Sequence, residues 1–140
     1  MELEIPECFY RISVKALILD ENHRFLLVKE DNGIWELPGG GLDHGESAQE
    51  GIKREIWEEM QLKTSAIADQ PCFFFTVKNH KGVYIANVIY LTELEHLRFV
   101  PSPECCEVRF FSAIEVLEET NMYPNVTAFA RMFMEKHPGL

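Results

Sequence analysis

Long hydrophobic runs are missing from this 140-residue chain: none approaches the roughly 20 apolar residues that a membrane-spanning helix needs. Basic residues are also scarce. Lys and Arg total 13 against 23 Asp and Glu, a net charge of −10. That balance suits the phosphate backbone of a nucleic acid polymer poorly. A small phosphorylated substrate stays open, because divalent ions screen such contacts locally. The four cysteines, Cys8, Cys72, Cys105 and Cys106, form no Cys-x-x-Cys and have no paired-histidine partner, which argues against a zinc site. Reduced thiols are expected, the neighbouring Cys105 and Cys106 included. The opening residues are acidic and lack the basic start and apolar stretch of a secretory signal, so the expected compartment is the cytoplasm, with no membrane contact. No repeat, low-complexity tract or linker interrupts the chain, which predicts one domain over 1–140.

What is present reads as mixed structure. Tyr10 to Leu19 is rich in apolar and β-branched residues and predicts a strand. Asp20-Glu21-Asn22-His23 supplies a turn, and Arg24 to Lys29 predicts a second strand that forms a hairpin with the first. Asp31-Asn32-Gly33 is a further turn before the short apolar segment Ile34 to Leu37, and Pro38 with three consecutive glycines breaks regular structure. Ser47 to Met60 predicts a helix: Ser47 caps it, Glu50 completes a capping box, and Ala48, Ile52 and Ile56 form the buried stripe. Strand material follows between Lys63 and Val77. A hairpin turn at Asn79-His80-Lys81-Gly82 leads into Val83 to Leu91. Thr92 to Glu107 is a long irregular loop, and Val108 to Phe111 a last short strand. A short helix from Ser112 to Leu117 and an amphipathic helix from Asn125 to Lys136 end the chain. The fold class is α+β, an α/β/α sandwich around a mixed β-sheet.

The segment from Gly40 to Leu62 carries the chemistry. Glu55, Glu58 and Glu59 lie three and four residues apart and share a helix face. Crowded carboxylates repel, and a hard cation such as Mg²⁺ reverses that balance, taking carboxylate oxygens while keeping waters and substrate phosphates. Arg54 stands four residues from both Glu50 and Glu58, placed to orient neighbouring acids. Gly39, Gly40 and Gly41 let the backbone approach closely, offering carbonyls to a metal or amides to a phosphate. The plain alternative is a solvated acidic helix after a flexible turn.

The joint spacing decides between them. Gly40, Glu46, Arg54, Glu55, Ile56, Glu58, Glu59 and Leu62 resemble the Nudix box of the MutT-like hydrolases, with Gln61 in place of the second glycine. Trp35 to Gly41 is similar to the family's lead-in, and the strand order fits its fold across nearly the whole chain. The resemblance implies hydrolysis, by water attack on phosphorus, of a nucleoside diphosphate linked to another moiety. It implies Mg²⁺ or Mn²⁺ held by Glu55, Glu58 and Glu59 with a main-chain oxygen at Gly39 or Gly40, Arg54 orienting the first acid, and Glu46 in a structural or outer metal role. The general base is Glu104, ahead of Glu107, or else Glu55 or Glu58. The alternative is a Nudix-fold binding module without catalysis; an isomerase of allylic diphosphates would need a longer chain. The expected partner is a small nucleotide or related diphosphate, nucleoside triphosphates by default, with a homodimer left open.

Weaker signals accompany these. Phe73, Phe74 and Phe75 read as core rather than a base-stacking platform. Tyr84, Tyr90, Phe111 and Tyr123 are candidates to line a pocket, and Asn121 to Asn125 a turn and helix cap at its edge. His44 lies in the glycine-rich loop; His23, His80, His96 and His137 have no ligand spacing.

Overall fold

The computed structural model describes residues 7–136; the acidic opening segment, His137 and both ends of the expected 1–140 domain lie outside the described residues. Eight strands and three helices follow one another: β1 (Arg11–Leu17), β2 (Phe25–Lys29), β3 (Trp35–Glu36), β4 (Gly39–Gly41), α1 (Ala48–Met60), β5 (Thr64–Ile67), β6 (Phe73–Lys78), β7 (Tyr84–Leu94), β8 (Glu107–Phe111), α2 (Ala113–Glu118) and α3 (Pro124–Lys136). One sheet runs β4-β1-β7-β5 with β6 also paired to β7, and a second runs β3-β2-β8. β1 lies parallel to β7, with Ser13 opposite Asn87 and Lys15 opposite Ile89. The remaining pairs are antiparallel.

Because side chains alternate across a strand, each sheet feeds two cores. Leu17, Phe25, Leu27, Phe75 and Ile89 face α2 and α3, where they meet Val116, Phe129 and Phe133. Val14, Ala16, Leu26, Val28 and Tyr90 face the opposite way, onto Ile52, Ile56 and Met60 of α1. The product is the expected mixed-sheet sandwich with helices on both sides.

Several local expectations need correction. β1 and β2 do not form a hairpin ladder. They belong to different sheets and pair just beyond the end of β1, through the bridge between Leu19 and Phe25 and the bonds from Leu26 N–H to Ile18 O and from Asp20 N–H to Arg24 O. The three glycines are not irregular either: they form β4 and pair with Ser13, Val14 and Lys15. Gly39 adopts φ +123°, and a Cβ there would run into the Val14 carbonyl oxygen; only glycine lets the two backbones come this close. β7 runs on to Leu94, shortening the predicted loop. Of the three phenylalanines, Phe73 and Phe75 are core whereas Phe74 is exposed, as strand alternation requires.

α1 starts and stops for identifiable reasons. Ser47 keeps extended geometry while its Oγ accepts the Glu50 N–H at 3.1 Å. Ile52, Ile56 and Met60 are fully buried, each contributing about 1.5–3 kcal/mol. At the other end Gln61 takes the left-handed conformation (φ 54°, ψ 38°) and donates its N–H to Trp57 O, the job a glycine does in the family pattern. The helix therefore ends on schedule, at a conformational cost of roughly 1–2 kcal/mol.

Candidate functional site

Arg54, halfway along α1, gathers the acids. Its Nε donates to Glu46 Oε2 at 2.7 Å and its Nη2 to Glu46 Oε1 at 2.9 Å, a two-pronged pairing. Nη1 reaches Glu55 at 3.0 Å and Glu58 at 3.2 Å, and Nη2 also donates to Gly41 O at 3.0 Å. The predicted pairing with Glu50 is absent from this set. Arg54 turns instead toward Glu46 in the preceding loop, whose carboxylate it holds down to a pKa of about 2. The guanidinium is in turn stabilised in its charged form, since an arginine in a bidentate carboxylate pair gives up its proton even less readily. One side chain thus ties the loop, the glycine strand and the helix together.

The three box acids sit in unlike surroundings. Glu58 is largely exposed, Glu55 half-buried and Glu59 buried. Burial raises the Glu55 carboxyl, against the pull of Arg54. Burial raises Glu59 well above the usual range, opposed by Lys15 and by the Gly39 N–H, which donates to Glu59 Oε1 at 2.9 Å. A Cβ on Gly40 would fall 2.7 Å from the Glu55 carboxyl carbon, so the missing side chain leaves backbone and carboxylate adjacent. Among the described residues no three acidic, histidine or cysteine side chains close into a ready metal cage. The donors gathered at this place are nonetheless all oxygens, on a glycine cradle that a side chain would fill. That is the donor chemistry of a hard ion which keeps waters and substrate oxygens among its ligands, and Mg²⁺ or Mn²⁺ fits it.

The loop before β8 comes to the same place. Ser102 Oγ donates to Glu59 O at 2.8 Å, Val100 N–H to Met60 O and Cys106 N–H to Lys29 O. This pins Glu104, exposed in the loop, close enough for its charge to add to the raising of Glu59. Glu107 is instead on β8, paired with Lys29 at 3.5 Å. All four cysteines are free thiols, and burial pushes Cys105, beside Glu59, up to about 12.

Beyond Gly39 lies a cavity of about 260 Å³ between the β1–β7 floor and the start of α3, lined by Lys15, Glu36, Asn87, Tyr123 and Asn125 among others. Of the four aromatic candidates only Tyr123 lines it: Tyr84 is exposed, while Tyr90 and Phe111 are core. Tyr123 to Asn125 do edge it, as expected. His80 is among its lining residues; His44 lines a different groove, near Phe9 and Arg11. Lys15 was not singled out by the sequence. Its Nζ, nearly buried, donates to Leu37 O at 3.2 Å and Gly39 O at 3.3 Å and lies 3.7 Å from Glu36. It connects the cavity to the acid cluster. A polar residue on an otherwise inward-facing strand side was the available signal for both Lys15 and Asn87.

Comparison with known proteins places the chain in a family. A MutT-like protein from Streptomyces ambofaciens is 40% identical over 55 residues, 39% of this chain and 36% of that one. The chain spans about a third of the length of such curated relatives. An RNA pyrophosphohydrolase from Campylobacter jejuni is 28% identical over 132 residues, 81% of this chain and 85% of its own. A MutT protein structure from Methanosarcina mazei Go1 superposes with a TM-score of 0.70 at 28% identity, covering 96% of this chain and 99% of that one. The family model described as the NUDIX domain matches residues 9–133, and the chain belongs to that family.

Proposed function

We propose that this chain is a metal-dependent pyrophosphohydrolase that cleaves a nucleoside diphosphate linked to another moiety. One observation carries the reading: Arg54 binds Glu46, Glu55, Glu58 and the Gly41 carbonyl at once, so the box acids are presented on the glycine strand rather than dispersed in solvent. Glu55, Glu58 and Glu59, with the Gly40 backbone oxygen, would hold Mg²⁺ or Mn²⁺. Bound there, the ion would neutralise diphosphate oxygens and lower the pKa of an attacking water. Arg54 fixes the orientation of the acids. Gly39 spends its amide on Glu59, and Gly40, lacking a Cβ, gives a phosphate or an ion room to approach. Glu104 is the candidate general base, exposed in the pinned loop and near enough for its charge to act on Glu59. Glu107 ranks below it, because Lys29 engages its carboxylate. The cavity beyond Gly39 takes the nucleoside end of the substrate.

A phosphate-release screen over nucleoside triphosphates, nucleotide sugars, ADP-ribose and dinucleoside polyphosphates, with and without Mg²⁺ or Mn²⁺, tests this. Turnover of at least one is expected. Glu58→Gln should lower it by more than the roughly 10–100-fold typical of losing an outer partner of a metal ligand. Unchanged turnover in Glu58→Gln would remove the catalytic assignment, and no turnover of any diphosphate would favour a binding module.

A further inference from the structure

Two charged side chains are buried among the described residues, Lys15 at 5% exposure and Glu59 at 4%, and they flank the same glycine. Gly39 donates its N–H to Glu59 Oε1 at 2.9 Å, and its carbonyl accepts from Lys15 Nζ at 3.3 Å. Taking an ammonium out of water is costly, and a methionine would fill similar space on β1 without that cost. The chain keeps a charge here that folding does not require.

Arg54 does not serve Glu59. Its hydrogen bonds go to Glu46, Glu55, Glu58 and the Gly41 carbonyl. Lys15 is the cation whose charge acts on Glu59, and it acts on Glu55 as well. An ammonium has three N–H groups and no acceptor. Leu37 O at 3.2 Å, Gly39 O and the Glu36 carboxylate at 3.7 Å engage it. The Gly39 carbonyl is thus turned to a resident cation, which repels a second one, whereas no side chain stands on Gly40.

Building on the reading of Glu55, Glu58 and Glu59 as metal ligands given above, we propose that Lys15 is a positioning residue that sets how tightly those acids hold a divalent ion. It acts through them in two ways. Its charge weakens the attraction of the empty site for a free ion, and its bond to Gly39 O reserves that carbonyl, leaving the Gly40 oxygen to the metal. A unit charge about 10 Å from a divalent ion, at an effective dielectric constant of about 20, changes the affinity on the order of a hundredfold. A proton carries half the charge of the ion, so proton competition for the same acids cancels only part of this. Removing Lys15 also leaves the Glu36 carboxylate without its cation, which moves the potential the same way.

The test titrates Mn²⁺ into the full chain and into Lys15→Met, Lys15→Gln and Lys15→Arg at one pH, following free ion by electron paramagnetic resonance and heat by calorimetry. The two neutral variants should bind Mn²⁺ at least about tenfold more tightly than wild type, and Lys15→Arg, which keeps the charge, should stay near it. The metal concentration that half-saturates nucleoside triphosphate hydrolysis should fall in parallel. Melting temperatures in chelator should drop in the neutral variants, so the signature is a tighter site in a less stable chain. A lysine that served only as a strut would give a looser site. Lys15→Gln keeps a donor for the two carbonyls and carries the test where the methionine variant folds poorly. Unchanged or weaker Mn²⁺ binding in the neutral variants, with hydrolysis retained, would overturn this inference and leave the hydrolase reading standing. Tighter binding with no hydrolysis by any form would do the reverse, and no Mn²⁺ binding by any form would overturn both.

Discussion

Replacing Glu59 by glutamine should make the metal-free protein more stable while weakening its response to metal. Glu59 is 4% exposed, and burial, the largest influence on it, holds its pKa well above the usual 4.5. With the folded value raised, the folded chain binds the proton more tightly than the unfolded one. The contribution of this group to stability is therefore complete below about pH 4.5 and is lost as pH rises toward the folded value. At pH 7 a buried carboxylate is a liability of several kcal/mol, offset in part by Lys15. Glutamine keeps the length and a carbonyl oxygen for the Gly39 N–H, and removes the charge. A gain on the order of 1–2 kcal/mol follows, or roughly 3–8 °C in melting temperature for a domain of this size. Divalent metal should reverse the ranking. The wild-type chain should gain about 2.7 kcal/mol at metal concentrations near 100 times Kd, and Glu59→Gln should gain little. Thermal melts in chelator and in millimolar Mn²⁺, at pH 7 and again near pH 4.5, where the difference in chelator should shrink, measure all of this. A variant that melts at or below wild type in chelator at pH 7, or that responds to metal as wild type does, would refute the reasoning.

Two adjacent glycines should fail in different ways. Gly39→Ala drives a Cβ into the Val14 carbonyl oxygen at φ +123°, so it should cost about 3 kcal/mol or more in chemical denaturation. Gly40→Ala meets the movable Glu55 carboxylate, at 2.7 Å; it should keep its unfolding free energy within about 1 kcal/mol of wild type yet lose metal-dependent turnover. Acid stability should depend on Glu46. Arg54 lowers its pKa from 4.5 to about 2, so its stabilisation is present above pH 4.5 and disappears as pH falls toward 2. Melting temperatures from pH 6 to pH 2.5 should drop less steeply for Glu46→Gln than for wild type.

Much of the site was legible because its spacing is local. A helix places residues three and four apart on one face, so Glu55, Glu58 and Glu59 could be grouped from their numbers alone, as could the Ser47 cap and the Ile52–Ile56 stripe. What the chain order hid was pairing at a distance. Arg11–Leu17 and Phe25–Lys29 look like a hairpin, but Asp20 holds the turn with its side chain on Asn22, Arg24 N–H and Arg24 Nε, and the strands part into different sheets. Gly39–Gly41 resembled a break because glycine has weak strand preference; β1 recruits it through close backbone contact instead. The cavity was harder still. Lys15, Glu36, Asn87 and Asn125 come from four separate elements, and nothing in their neighbours along the chain connects them. Loop position put Glu104 ahead of Glu107 as a candidate base; in the structure Glu107 lies on β8 in an ion pair with Lys29, while Glu104 stays exposed in the loop.

β7 is shared property. Its odd-numbered residues, Ile85, Asn87 and Ile89, belong to the cavity and the α3 side, while Val88 and Tyr90 seat the glutamate-bearing helix α1. A one-residue insertion within this strand would exchange the two sets, putting a valine or alanine where the amide stands and the amide under α1. In a strand built this way the cavity-side positions can be substituted without touching the α1 side, whereas any change in strand length disturbs the cavity lining and the seat of the glutamate-bearing helix together.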